Sequence, residues 1–156
     1  MKAWASVFLV LILALGLTAC GDPETREQIF ADTQKKATAG EVSAWYNLGL
    51  MYEQGYGVAR DNFEAALCYR QAAEKGWVEA QYRLGLLYYH GQGVPKDLKL
   101  AAAWYKKAGE QGYAPAQAAL ANMYLIGEGV PKDSSKAAHW YKKSLKPKKH
   151  LNFSRD

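Results

Sequence analysis

Apolar side chains recur along this chain at the period of an α-helix, and the pattern itself comes back at a fixed interval. Ala44, Leu48 and Tyr52 stand four residues apart, one face of a helix. Gly55 follows, free to take a positive φ and close that helix. Asp61 then opens a second run, Ala65, Ala66, Tyr69, Ala72 and Ala73, which Gly76 ends. The short carboxylate of Asp61 suits an N-cap, and Glu64 suits the return arm of a capping box. Each run therefore predicts a helix with one buried stripe.

The two-helix unit returns at steps of 36 residues without a gap. Leu48-Gly49 becomes Leu84-Gly85 and Leu120-Ala121. Tyr52 becomes Tyr88 and Tyr124, and Gly55-x-Gly57-Val58 becomes Gly91-x-Gly93-Val94 and Gly127-x-Gly129-Val130. Asp61, Asp97 and Asp133 correspond, as do Tyr69, Tyr105 and Tyr141. The small residues at 49, 85 and 121 let neighbouring helices approach closely. Pro95 and Pro131 precede their N-cap Asp, where a missing N–H costs no helix bond.

This register divides the chain. Residues 24–40 read as an additional half-unit, a degenerate N-terminal capping helix in which Ile29 takes the place of Ala65 and Ala101. Three units follow within 41–145, at about 44–79, 80–115 and 116–145. The register fails after Tyr141, where Pro147 and Lys148 replace the continuation, and a basic tail covers 146–156. The expectation is an all-α chain of about seven helices, stacked pairwise so that each hairpin buries its stripe against the next.

The unit Ala-x-x-x-Leu-Gly-x-x-Tyr-x-x-Gly-x-Gly-Val, then Asp, then Ala-x-x-Trp-Tyr, resembles the Sel-one-like repeat, a relative of the tetratricopeptide repeat. The resemblance covers about Glu41 to Leu145 in three copies. It implies an α/α solenoid whose concave face is lined by the first helix of each pair. Relatives act as adaptors, as host-interaction factors, or as periplasmic immunity proteins against secreted toxins. Some secreted relatives carry a Cys pair in each repeat and are linked to β-lactam binding, and this chain lacks those pairs.

The first nineteen residues form an address. Lys2 gives a positive start, and the run from Ala3 to Ala19 is apolar except for Ser6 and Thr18. It is slightly short for a bilayer span and ends in small residues, as a signal peptide does. Leu17-Thr18-Ala19-Cys20 resembles the lipobox of bacterial lipoproteins. That resemblance implies cleavage before Cys20 and acyl chains on its sulfur and, in many bacteria, its new amine. An uncleaved membrane anchor is the alternative. Two or more chains anchor a protein stably. Gly21, rather than Asp, follows the cysteine, which by the same resemblance favours the outer membrane, facing the periplasm. Residues 20–23 are then a lipidated Cys and a short linker. Gly21 to Glu24 spans at most about 14 Å at ~3.5 Å per residue, so the array is held close to the membrane.

Charge narrows the choice of partner. The formal net charge is +5, yet from Lys142 onward the chain carries six basic residues against one acid, and Cys20 to Tyr141 carries 13 basic against 14 acidic. A neutral body argues against nucleic-acid binding. After Cys20 only Cys68 remains, so no intrachain disulfide is expected. Cys68 stands where Trp104 and Trp140 do and reads as a buried small hydrophobe. His90, His139 and His150 are scattered, and no group has metal-ligand spacing. The Gly-x-Gly-Val loops lack a following Lys-Ser or Lys-Thr and close helices rather than cradle phosphate. No catalytic constellation, cofactor or small-molecule substrate is expected. A hydrolase acting on cell wall or β-lactams is the weakest alternative.

The informative surface is the one the core stripe leaves over on the first helices. By analogy with tetratricopeptide grooves it comprises Tyr46, Leu50, Glu53 and Gln54 in the first copy. The second gives Tyr82, Leu86, Tyr89 and His90, and the third gives Ala118, Asn122, Leu125 and Ile126. Aromatic and aliphatic side chains that the core does not need are candidates for gripping a protein partner in the cell envelope. A scaffold role and an immunity role use the same face. The alternative for these residues is packing between adjacent first helices.

Overall fold

The computed structural model describes residues 25–146; the leader, Cys20 and the tail from 147 lie outside the described residues. Seven helices fill the described span, with no strand among the described residues: α1 (Arg26–Thr38), α2 (Val42–Gln54), α3 (Asn62–Glu74), α4 (Val78–His90), α5 (Leu98–Glu110), α6 (Ala114–Ile126) and α7 (Ser134–Ser144). Each packs chiefly on its neighbours in sequence, so α2–α3, α4–α5 and α6–α7 are three hairpins stacked in a row behind α1. This is the helical-hairpin solenoid that the 36-residue register predicts.

The same local chemistry closes every hairpin. The first helices end at Gly55, Gly91 and Gly127, each in the left-handed region. The carboxylates of Asp61, Asp97 and Asp133 then accept N–H bonds from the first turn of the second helices. Each Asp also donates its own N–H to a first-helix carbonyl: Asp61 to Tyr52, Asp97 to Tyr88 and Asp133 to Tyr124. That bond corrects one expectation. With its N–H committed to Tyr52, Asp61 has nothing to offer Glu64, so the return arm of a capping box does not form. A full capping box stands instead at Thr25 and Gln28, where each side chain bonds the other's backbone N–H.

The core is a string of small residues and tyrosines. Ala65, Tyr69, Ala72, Ala80, Leu84, Ala101, Tyr105, Ala108, Ala116 and Leu120 form one continuous cluster through the array. Ala37, Ala44, Leu48 and Cys68 form a smaller one under α1. The close approach expected at 49 and 85 is real. A Cβ on Gly49 would stand 2.4 Å from the Tyr69 ring, and one on Gly85 2.6 Å from the Tyr105 ring. Glycine is needed there because the rings of Tyr69 and Tyr105 press against the first helix of their own hairpins.

Candidate partner-binding surface

The first-helix residues beside the core stripe fall into two groups. In the first hairpin they are absorbed. Tyr46 is half-buried, its ring centroid 5.8 Å from that of Tyr69 and 5.9 Å from that of Trp77. Leu50 packs against the main core. The Glu53 carboxylate accepts from the Tyr69 hydroxyl and pairs with Arg83 at 3.3 Å. Burial first, and then the bond to Glu53, push the Tyr69 phenol well above its ordinary range. Glu53 thus ties the first hairpin to the second, a role that sequence alone did not distinguish from binding. Gln54 is exposed.

In the second hairpin Tyr82, Leu86 and Tyr89 are still half-buried against the main core, and exposure begins at His90 and in the third hairpin. Tyr82 is half-buried, 5.6 Å from the Tyr105 ring and 5.3 Å from that of Tyr113. Leu86 and Tyr89 line a small groove of about 190 Å³ with His90 and Asn122. The Tyr89 hydroxyl donates to Glu128 at 2.6 Å, and its ring meets His90 edge-on at 5.1 Å. That hydrogen bond is the main cause that raises the Tyr89 phenol above its ordinary range. His90, Ala118 and Asn122 are exposed, and Leu125 and Ile126 are each 51% exposed. A larger groove of about 640 Å³ opens at the end of the array between Tyr82, Ala118, Asn122, Leu125, Ala138 and Tyr141.

Two buried glutamines were not singled out from the sequence. Gln81 donates to the Ala73 carbonyl at 3.1 Å, and Gln117 to the Gly109 carbonyl at 2.7 Å. Each reaches back from a first helix to the end of the preceding second helix. Their spacing of 36 residues was the available signal. Trp45 occupies the same register position where the preceding helix is α1.

No group of His, Cys, Asp and Glu among the described residues is arranged to hold a metal. Cys68 is free and buried, and burial pushes its thiol up to about 12, so it is not a thiolate nucleophile at neutral pH. The Gly-x-Gly loops have a mechanical explanation. A Cβ on Gly93 would stand 2.2 Å from the carbonyl of Asn62, so the loop lies against the preceding hairpin and leaves no room for a phosphate. No described helix is long and apolar enough to cross a membrane.

Comparison with known proteins fits this geometry. The Sel1 repeat pattern matches residues 42–77, 78–113 and 114–146. The chain belongs to the Sel1 repeat family. Its solenoid is similar to a Sel1 repeat protein from Oxalobacter formigenes, with 32% identity and a TM-score of 0.72 over 76% of this chain and 49% of that one. It is also similar to c5321, a protective antigen of uropathogenic Escherichia coli displaying an SLR fold, with 34% identity and a TM-score of 0.75 over 90% of this chain and 29% of that one. This chain therefore spans about half or less of either relative. The cysteine-rich protein B of Helicobacter pylori shares the fold at 23% identity, with a TM-score of 0.61 over 77% of this chain and 89% of that one. A comparison with curated proteins finds no match. Sel1 repeat proteins are generally non-catalytic modules for protein–protein interaction.

Proposed function

We propose that this Sel1 repeat chain is a non-catalytic protein-binding module held in the bacterial envelope by lipid on Cys20. Its first helices form the concave face, and the partner docks on α4 and α6. The observation that carries the reading is the gradient along that face. Leu86, Tyr89, His90, Asn122, Leu125 and Ile126 stay partly or fully exposed after the core is satisfied. At the equivalent places of the first hairpin Leu50 and Glu53 are half-buried, as Leu86 and Tyr89 are, and Gln54 is exposed and polar, so the difference lies in the exposed His90, Asn122, Leu125 and Ile126. Apolar and aromatic side chains clustered around a groove are where binding energy concentrates.

The test uses Tyr89→Ala with His90→Ala, one side chain half-buried and bonded to Glu128 and the other exposed. Affinity for a partner captured from envelope extracts should fall at least about tenfold, a loss of ~1.4 kcal/mol, while the helical spectrum at the assay temperature holds. Unchanged affinity places the partner elsewhere. The anchor has its own test. Cys20→Ala should release the chain from membranes, and wild-type protein should carry acyl mass on the residue that follows Ala19. A wild type without lipid by mass spectrometry ends the lipoprotein reading and leaves the binding reading standing.

A further inference from the structure

The two inner junctions of the array display what the outer face of a hairpin is shaped to hold. At one, α4 lies on α3; at the other, α6 lies on α5. In both, the arriving helix carries Ala-Gln-x-x-Leu: Ala80, Gln81 and Leu84, then Ala116, Gln117 and Leu120. All six are buried. The glutamine clamps the last turn of the helix beneath, through the Ala73 and Gly109 carbonyls. The tyrosine under the arriving helix is sealed, Tyr69 at 0% and Tyr105 at 2% exposure.

The third hairpin presents Ala137, Ala138 and Tyr141 at the equivalent positions, with Ser144 and Leu145 in place of Ala72/Ala108 and Ala73/Gly109, and no described helix covers that face. Ala138, the equivalent of buried Ala66 and Ala102, is exposed. Tyr141 is 57% exposed and Leu145 66%. Leu145 also holds the register position of Ala73 and Gly109, the two carbonyls that accept a glutamine. The groove of about 640 Å³ lies along this face. We infer that it is a socket for an α-helix of another protein, one with a small-Gln-x-x-Leu face and an acidic N-terminal flank, docking as the first helix of a further repeat.

Three observations select that occupant. The outer surface of α1 is polar, with Arg26, Glu27, Asp32, Gln34, Lys35 and Lys36 exposed, so a second copy has no apolar face to offer head to tail. A face-to-face pair of copies would oppose like charges. Helix α6 has no charged residue, while Lys142 and Lys146 flank the exposed stripe of α7. Lys146 replaces Glu74 and Glu110 of the inner hairpins, which turns the rim positive and matches an acidic helix start. The chain's own continuation offers Asn152, Phe153 and Asp156 at the Ala, Gln and Leu positions, a poor filling for an apolar slot.

The probe is a fluorescent stapled helix with the sequence of Val78–His90, preceded by two added glutamates. It should bind the full mature chain in anisotropy titrations. Ala138→Arg, a change at an exposed position, should weaken binding at least about tenfold. Gln81→Leu within the peptide should weaken it too, by about five- to tenfold. Tyr141→Arg is a second block should the first variant lose its helical spectrum. Tyr89→Ala with His90→Ala should leave peptide binding unchanged, because neither lines this groove, although Asn122 and Leu125 belong both to it and to the concave face. Absence of binding overturns the inference, as does binding indifferent to both blocking variants. A chain ending at Lys146 that binds about tenfold tighter overturns it by giving the groove to the tail. A dimer in sedimentation that Ala138→Arg dissolves overturns it by giving the groove to a second copy.

Discussion

The two ends of the array are finished by opposite means. At the N-terminal end, α1 turns Phe30 and Ala37 inward and a row of charged and amide side chains outward, and its capping box needs nothing from a neighbour. At the C-terminal end, α6 and α7 turn Leu125, Ala138, Tyr141 and Leu145 outward. Solenoid units contact only their neighbours, so a terminal unit needs a polar outer face to stand alone. Among the described residues the N-terminal end meets that requirement and the C-terminal end does not. Three register-equivalent tyrosines measure the difference: Tyr69 is 0% exposed, Tyr105 2% and Tyr141 57%. Burial here belongs to the next repeat and not to the residue.

The largest effect should come from packing that only inner hairpins have. Gly49→Val and Gly85→Val drive side-chain carbons into the Tyr69 and Tyr105 rings, and overpacking of that kind costs about 1–3 kcal/mol each. Ala121→Val, on the wall of the open groove, should cost under half as much, because Tyr141 is free to move. Denaturant melts of the three variants check this. Equal losses at 49 and 121 would mean that the third hairpin is packed like the first two.

Next in size are the glutamine clamps. Gln81→Leu removes the bond to Ala73 and also the acceptor for Gln111, whose amide donates to Gln81 at 2.8 Å. Gln117→Leu removes the single bond to Gly109. Each lost bond is worth about 0.5–1.5 kcal/mol, so Gln81→Leu should be the more destabilising, by roughly a factor of two in the shift of the denaturation midpoint. A reversed order would show that packing around position 117, rather than hydrogen bonding, sets the strength of the second junction.

Most of the architecture was legible because it is local and repeated. Helix spacing, the glycine stops, the Asp caps and the small residues at 49 and 85 are written within single units, and three copies exposed the signal. The binding surface was less legible because it is what remains after contacts between units are made. Glu53 read as part of the partner-binding face until Tyr69 and Arg83 came into reach. Tyr82 and Tyr89 read alike, but Tyr113, the residue that opens α6, packs on Tyr82, while the Tyr89 hydroxyl bonds Glu128. Tyr141 matched Tyr69 and Tyr105 in register, and only the lack of a described helix beyond α7 separates them.

The smallest expected effect concerns α7, which has α6 as its main neighbour and depends more than α3 or α5 on its own cap. The Asp133 carboxylate accepts the Lys136 N–H at 2.9 Å, and that bond first, aided by the nearby Lys136 ammonium, holds its carboxyl below the usual carboxylate range. A depressed folded-state pKa stabilises the charged form. The contribution is therefore present at neutral pH and is lost as pH falls from about 4, the unfolded value, through the lower folded one. Asp133→Asn keeps an acceptor oxygen but removes the charge. It should speed amide exchange in α7 slightly at pH 7, leave α3 unchanged, and merge with wild type in acid. A variant that instead accelerates exchange through α5 as well would show that the open end is coupled to the array, and that α7 frays with its neighbours rather than alone.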